Sequence, residues 1–227
     1  MGCIMYNLSD MNPPAIAIDG PAASGKSTVA KLIAGELGYT FINTGAMYRA
    51  IAWYLLQRGI DPSDAAQVKA ILTEIPLEFG KEGAVSTVVY QGRVLKDELT
   101  DSGVNDTVSV VAAIPEVRAH LVQKQREYNA TEPVVMEGRD IGSVVFPDTP
   151  FKYFVTASPE VRAARRAAQG LADSIAERDK KDTARACSPL TQAPDAVTVD
   201  TSEMTIDQVV ALIVADIRSK LSAYSPL

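Results

Sequence analysis

The sequence predicts an α/β fold in which a five-stranded parallel sheet is flanked by helices. Two observations carry this. Five short, β-rich apolar runs alternate with longer stretches whose apolar residues recur at helical spacing, the pattern of βα units wound onto one sheet. The first run leads directly into a glycine-rich loop and then a helix, a strand-loop-helix order typical of parallel sheets. No internal repeat or low-complexity block interrupts the alternation.

Composition sets the bounds. At 227 residues, 47% hydrophobic and 22% charged, the chain fits one globular domain with insertions and fits neither disorder nor a fibrous repeat. Its 22 Lys and Arg against 28 Asp and Glu give a net charge of −6, which argues against a nucleic-acid partner. The two cysteines, Cys3 and Cys187, make no disulfide framework and fit a reducing, cytoplasmic setting. No apolar run approaches the roughly 20 residues that cross a bilayer, so no membrane partner is expected. Gly2 does not make a myristoylation signal, because Tyr6 stands where Ser or Thr is needed. Residues 1–14 read as a flexible leader ending at Pro13 and Pro14.

The elements follow in order. Ala15–Asp19 is the first strand, and the helix after its loop runs from Ser27 to a C′ glycine at Gly38. Tyr39–Asn43 is the second strand. The helix from Ala46 to Gly59 carries Tyr48, Ile51, Ala52, Leu55 and Leu56 on one stripe, with Arg49 on another face. Residues 60–129 read as an insertion between the second and third strands: a helix near Asp64–Thr73, a small antiparallel sheet bending at Gln91-Gly92, and two helices divided at Pro115. Pro133–Glu137, Phe151–Thr156 and Ala196–Asp200 complete the sheet. In the last helix Thr205 and Gln208 form a capping box ahead of a buried stripe of Ile206, Val209, Val210, Ile213 and Ile217. Residues 15–59 and 130–227 thus make the core, and residues of about 162–186 a lid.

The loop Gly20, Pro21, Ala22, Ala23, Ser24, Gly25, Lys26, Ser27 and Thr28 completes GxxxxGK[ST]. Backbone N–H groups in such a loop wrap phosphates while the following helix presents its positive end. Lys26 reaches the outer phosphates and the Ser27 hydroxyl takes Mg²⁺. An ordinary glycine turn does not account for the agreement of strand, loop, lysine, hydroxyl and helix. A nucleoside triphosphate is therefore the expected ligand. The motif alone serves switches, motors, transporters and kinases; a GTPase would also carry an NKxD-type guanine reader, which this sequence lacks.

Between residues 162 and 185 stand Arg162, Arg165, Arg166, Arg178, Lys180, Lys181 and Arg185 against four acidic side chains. Guanidinium groups suit bidentate contact with phosphate, although a solvated helix face would look the same. Asn43 to Arg49 and Glu137 to Gly142 fall at the ends of the second and third strands, where ligands gather in open α/β sheets. With Lys26 these segments converge on one crevice.

From Ala15 to the C-terminus the chain resembles the bacterial cytidylate kinases, a branch of the P-loop nucleoside monophosphate kinases. The resemblance rests on IDGPAASGKST, NTGAMYRA, VSVVAAIPEVR, MEGRDIGSVVFPD, SPEVRAARR and ERDKKDTARACSPL in this order. It implies transfer of the ATP γ-phosphoryl group to CMP or dCMP with Mg²⁺ by a P-loop kinase, with 60–129 as the acceptor-binding insertion; a monomer is expected separately, because no long apolar stripe is left over for a partner. It places acceptor-phosphate contacts on Arg49, Arg139 and Arg185, cytosine contacts on Ser109, Arg118 and Asp140, and sugar contacts on Arg178 and Asp182. Thr44 falls near the acceptor nucleotide, Arg162 and Arg165 among the ATP contacts, and Glu137 beside Mg²⁺, through water. Lys26, Arg139 and Arg185 are the residues expected to support the transfer itself.

Two features depart from the family pattern. Asn43 stands where Asp is usual, and the segment between Arg166 and Arg178 is short, which implies a stubby lid. The rival readings are a small P-loop kinase for UMP, AMP or a metabolite, and a nucleotide-binding protein without turnover. His120 reads as a helix-surface residue and Trp53 as packing.

Overall fold

The computed structural model describes residues 14–168 and 190–224. Its elements begin with β1 (Ala15–Asp19), α1 (Lys26–Leu37), β2 (Thr40–Asn43), α2 (Thr44–Gln57), α3 (Ala65–Ile71), β3 (Leu77–Glu82), β4 (Val85–Tyr90) and β5 (Arg93–Val94). They continue with α4 (Ser102–Val111), α5 (Pro115–Asn129), β6 (Val134–Gly138), β7 (Lys152–Thr156), α6 (Pro159–Ala168), β8 (Val197–Asp200) and α7 (Ile206–Tyr224).

The sheet runs β3-β4-β2-β6-β1-β7-β8, with β5 on β4. Its five central strands, β2, β6, β1, β7 and β8, are all parallel, as the alternation of runs and helices requires. Both faces of such a sheet are covered, so its strands read as continuous apolar runs. Ile16 and Ile18 of β1 join the core beneath α1 and α7, while Ala15 and Ala17 join the core on the opposite face with Ile42, Met136 and Ile141. Register decides the geometry of function: Asp19 pairs with Gly138 and Asn43 with Glu137, so β1, β2 and β6 end at one level. The residues that follow each strand are delivered to the same edge.

The antiparallel segment is not a separate sheet. Phe41 N donates to Ala84 O at 2.8 Å and Phe41 registers with Val85, which fuses the β3–β4 hairpin to the main sheet. Without it β2 would be an open edge, which proteins rarely leave uncovered. The Gln91-Gly92 bend occurs where expected, with φ of 50° and 76°, the paired positive values of a tight hairpin.

This hairpin also explains why α2 is buried more widely than one stripe. Trp53 packs edge-on against Tyr90 at 5.1 Å between ring centroids, whereas Leu56, assigned to the stripe, is 39% exposed. In α7 the capping box forms in both directions, Thr205 N to Gln208 Oε1 at 2.9 Å and Gln208 N to Thr205 Oγ1 at 3.3 Å. Val209, Val210, Ile213 and Ile217 are buried, but Ile206 opens the helix ahead of that contact and is 50% exposed. Among the described residues no helix is long and apolar enough to cross a membrane.

Candidate functional site

The phosphate loop is held in a backbone path few residues can follow. Gly20 has φ 154°, and a Cβ there would lie 2.0 Å from Val155 O. Ala23 and Gly25 take φ 58° and 88°, and Gly25 caps α1 without a side-chain bond. The first N–H groups of α1 are therefore left for an anion. Ser24 Oγ is fully buried with no hydrogen-bond partner, the kind of unsatisfied donor that marks a ligand site.

Lys26 is buried, donates from Nζ to Pro21 O at 3.1 Å, and lies 3.9 Å from Glu137 Oε2. Ser27 Oγ donates to Glu137 Oε1 at 2.9 Å. A hydroxyl from the first turn of α1 and a carboxylate from the end of β6 thus sit side by side next to the phosphate loop. Hard oxygen donors in this number suit Mg²⁺, which keeps several waters and completes its shell with phosphate oxygens.

The facing wall comes from α2, α4, α5 and the segment after β6. Asn43 Oδ1 accepts from Ala46 N at 3.1 Å and caps α2, and Thr44 Oγ1 donates to Glu137 O at 2.8 Å. The Arg49 guanidinium crowds Gly45, where a Cβ would stand 3.1 Å from its Nη1. Arg118 and Asp140 form a buried ion pair; Arg118 also donates from Nη1 to Ala112 O at 3.2 Å and lies 5.5 Å from the Tyr48 ring centroid. Arg139, half-buried, donates from Nη1 to Gly138 O at 3.3 Å.

These groups share one cleft of about 230 Å³. Ala22, Ala23 and Gly25 to Thr28 line one side. Thr44, Arg49, Ser109, Arg118, Glu137, Arg139 and Asp140 line the rest, together with Arg166. Most residues named from sequence within the described chain thus line one cleft, while Gly20, Pro21 and Ser24 of the loop do not.

Arg162 and Arg165 are not part of the cleft lining. Arg162 donates from Nε to Ala157 O at 3.1 Å and from Nη1 to Ala22 O at 3.4 Å. Arg165 donates from Nη1 to Ser24 O at 3.2 Å and to Thr201 Oγ1 at 2.9 Å, and from Nη2 to Thr201 O at 3.0 Å. Both grip carbonyls of the phosphate loop, and among the described arginines of the cluster Arg166 is the one that lines the cleft. Helical phase turns Arg166 about 100° away from Arg165, whereas Arg162, four positions earlier on the same face of α6, lies one turn nearer the start of the helix and meets Ala22 O there. Arg178, Asp182 and Arg185, the leader and most of the expected lid lie outside the described residues.

Three residues here were not singled out as site residues from the sequence, although Asp19 and Tyr48 stand within its quoted motifs. Thr201 locks Arg165 to the loop, donating from Oγ1 to Thr156 O at 3.0 Å and Ser24 O at 3.2 Å, and nothing local signals it. Tyr48, read as core, also lines the cleft beneath Arg118. Asp19, the last residue of β1, accepts from Ile141 N and Gly142 N at 2.8 Å each. Burial pushes its carboxyl up to about 7 against the opposing pull of those two N–H donors; the Asp140 charge adds to the rise and Arg139 reduces it. A carboxylate ending the strand that launches the loop was the available signal.

A cytidylate kinase family model matches residues 16–219. The chain is 46% identical over 215 residues to the cytidylate kinase of Pelotomaculum thermopropionicum, covering 89% of this chain and 95% of that one. It is 38% identical over 230 residues to that of Streptomyces avermitilis, covering 96% and 100%. It is also 44% identical over 215 residues to a bifunctional pantoate ligase/cytidylate kinase from a Synechococcus strain, but spans 42% of that longer protein. Because one family model covers both the sheet and the cleft, and relatives align almost end to end, the chain belongs to the cytidylate kinase family and is a nucleoside monophosphate kinase.

Proposed function

We propose that this enzyme transfers the γ-phosphoryl group of ATP to CMP and dCMP, giving ADP with CDP or dCDP, and that Mg²⁺ assists. The observation that carries the reading is that a phosphate loop and the buried Arg118–Asp140 pair open into one cleft that Arg49 and Arg139 also line. A single-nucleotide switch has no use for the second set of cations.

In this reading the loop from Gly20 to Thr28 cradles the ATP phosphates and Lys26 follows the outer ones. Arg49 and Arg139 hold the acceptor phosphate, so that its oxygen meets the γ-phosphorus in line. A new P–O bond forms as the β–γ bridging bond breaks, and the electron pair leaves with ADP. Such a transfer needs alignment and charge neutralisation more than covalent help. Ser27 and Glu137 would hold Mg²⁺, which supplies charge neutralisation at the phosphates. Arg162 and Arg165 support ATP binding through the loop carbonyls they grip. The resemblance adds Arg185 at the acceptor phosphate and Arg178 and Asp182 at the sugar.

Base selection follows from chemistry. Cytosine presents an exocyclic amine donor where uracil presents a carbonyl acceptor. The Asp140 carboxylate accepts from the first and repels the second, and Arg118 holds it in place while Ser109 flanks the base. Rejection is steep when a buried polar group would be left unpaired. Residues 60–129 then serve as the acceptor-binding insertion, the core comprises 15–59 and 130–227, and the lid lies at about 162–186. The enzyme is read as cytoplasmic, which the lack of a disulfide framework in its two cysteines supports, and as a monomer.

An ADP-release assay with ATP and Mg²⁺ tests the reading across CMP, dCMP, UMP, AMP and no acceptor. CMP and dCMP should stimulate release far above the others. A different winner overturns the base assignment, and no stimulation by any acceptor overturns the reaction.

A further inference from the structure

We propose that Asp19 is a positioning residue for the phosphoryl acceptor: its carboxylate clasps the Arg139–Gly142 segment to the strand that launches the phosphate loop, and so sets the spacing between donor and acceptor sites. The proposal rests on the two-nucleotide reading of the cleft.

Pairing between β1 and β6 reaches its end at Asp19 and Gly138. Beyond that point the two chains diverge, one into the phosphate loop at Gly20 and the other into Arg139 and Asp140. No ladder bond holds them together from there. Asp19 takes over, because Oδ1 accepts from Ile141 N and Oδ2 from Gly142 N, both at 2.8 Å. Two bonds to one carboxylate fix both the position and the tilt of the segment. The turn Ile141–Val145 that begins there has no side-chain cap from its own N-cap residue, Asp140, whose carboxylate is committed to Arg118. The cap arrives instead from another strand.

The surroundings leave the segment little room to move. A Cβ at Gly138 would sit 2.7 Å from Ile141 Cδ1 and 2.9 Å from Thr44 Oγ1. One at Gly142 would sit 3.1 Å from Lys152 Cγ and 3.4 Å from Asp19 Oδ2. On the other side, Gly20 is pressed against Val155 O, so Asp19 is anchored on the donor side too. A carboxylate buried to 5% exposure is a costly way merely to fill space. Its two bonds place Arg139 and Asp140 against the loop, where an error of about 1 Å costs roughly a hundredfold in rate.

Asp19→Asn keeps the size but turns an amide NH₂ toward one of the two N–H donors. With the monophosphate that the wild type phosphorylates best, its KM should rise at least tenfold and kcat fall at least tenfold, while ATP affinity measured without acceptor stays within twofold. Acceptor KM and kcat within twofold of wild type overturn the proposal, as does a matching loss of ATP affinity. Should Asp19→Asn not fold, Gly142→Ala probes the same contact by pressing on Asp19 Oδ2 and Lys152. It should show the same acceptor-selective loss, and unchanged acceptor constants overturn the clasp. Failure of the base assignment would appear separately, as a wild type that prefers an acceptor other than CMP.

Discussion

Arg118 and Asp140 form an ion pair that is 3% and 6% exposed, reaching each other from α5 and from the segment after β6. The Arg118 guanidinium is also bonded to Ala112 O and stacked near Tyr48, so both its position and its tilt are set. Buried pairs of this kind are weak sources of stability, since desolvation offsets much of the attraction. The pair lines the cleft, and in the proposed function its fixed carboxylate is what meets the base edge.

Asp140→Ala should raise the KM for CMP by more than tenfold and leave that for ATP within twofold. It should also cost about 3–5 kcal/mol of stability, because the buried Arg118 loses its ion pair with Asp140. Steady-state kinetics with both substrates varied, together with urea unfolding, checks both halves. Asp140→Asn separates charge from shape: a CMP KM like wild type would count against the carboxylate as reader.

Arg165 and Thr201 grip Ser24 O as one unit. Arg165→Ala and Thr201→Val should each raise the KM for ATP severalfold with little change for the acceptor. Combined, they should fall short of the sum, with a coupling of about 0.5–3 kcal/mol as expected for neighbours in one network. Additive effects would show that the two act separately.

Glu137 accepts from Ser27 and balances Lys26. Glu137→Gln keeps the hydrogen-bonding shape and removes the charge. The Mg²⁺ concentration for half-maximal turnover should rise at least tenfold, measured by titrating Mg²⁺ at fixed ATP. An unchanged midpoint would remove Glu137 from the cation site.

Burial raises the Asp19 carboxyl from 3.8 to about 7, so between those values the folded chain binds a proton that the unfolded chain has released. The contribution of Asp19 to stability then falls as pH rises through this window, the reverse of the usual carboxylate behaviour. Asp19→Asn lacks this dependence. The Tm of wild type minus that of the variant should shrink from pH 5 to pH 8; a constant difference would show that the carboxyl does not titrate there.

Much of the fold was legible because its signals are local. Alternating runs, the Gly38 C-cap, the Thr205 capping box and the Gln91-Gly92 bend each depend on a few adjacent residues. The attachment of the hairpin to β2 was not legible, since a single register pair between distant strands leaves no pattern in either. Leu56 and Ile206 were misplaced for a related reason: a helical stripe shows which residues share a face, and only the neighbours decide how much of it is covered.

By itself the sequence determined the strand-loop-helix unit, the order of elements and the residue types gathered at the strand ends, because backbone preference and hydrophobic period act over a few positions. Tertiary structure alone decided which cation serves which purpose. Arg166 faces the cleft while Arg162 and Arg165, on the same helix, grip the loop from outside. It also brought Asp19 to Ile141 and Gly142 across more than 120 residues of chain. Such contacts depend on register between strands and on the rotation of a helix against its neighbours, quantities that close only when the whole core packs.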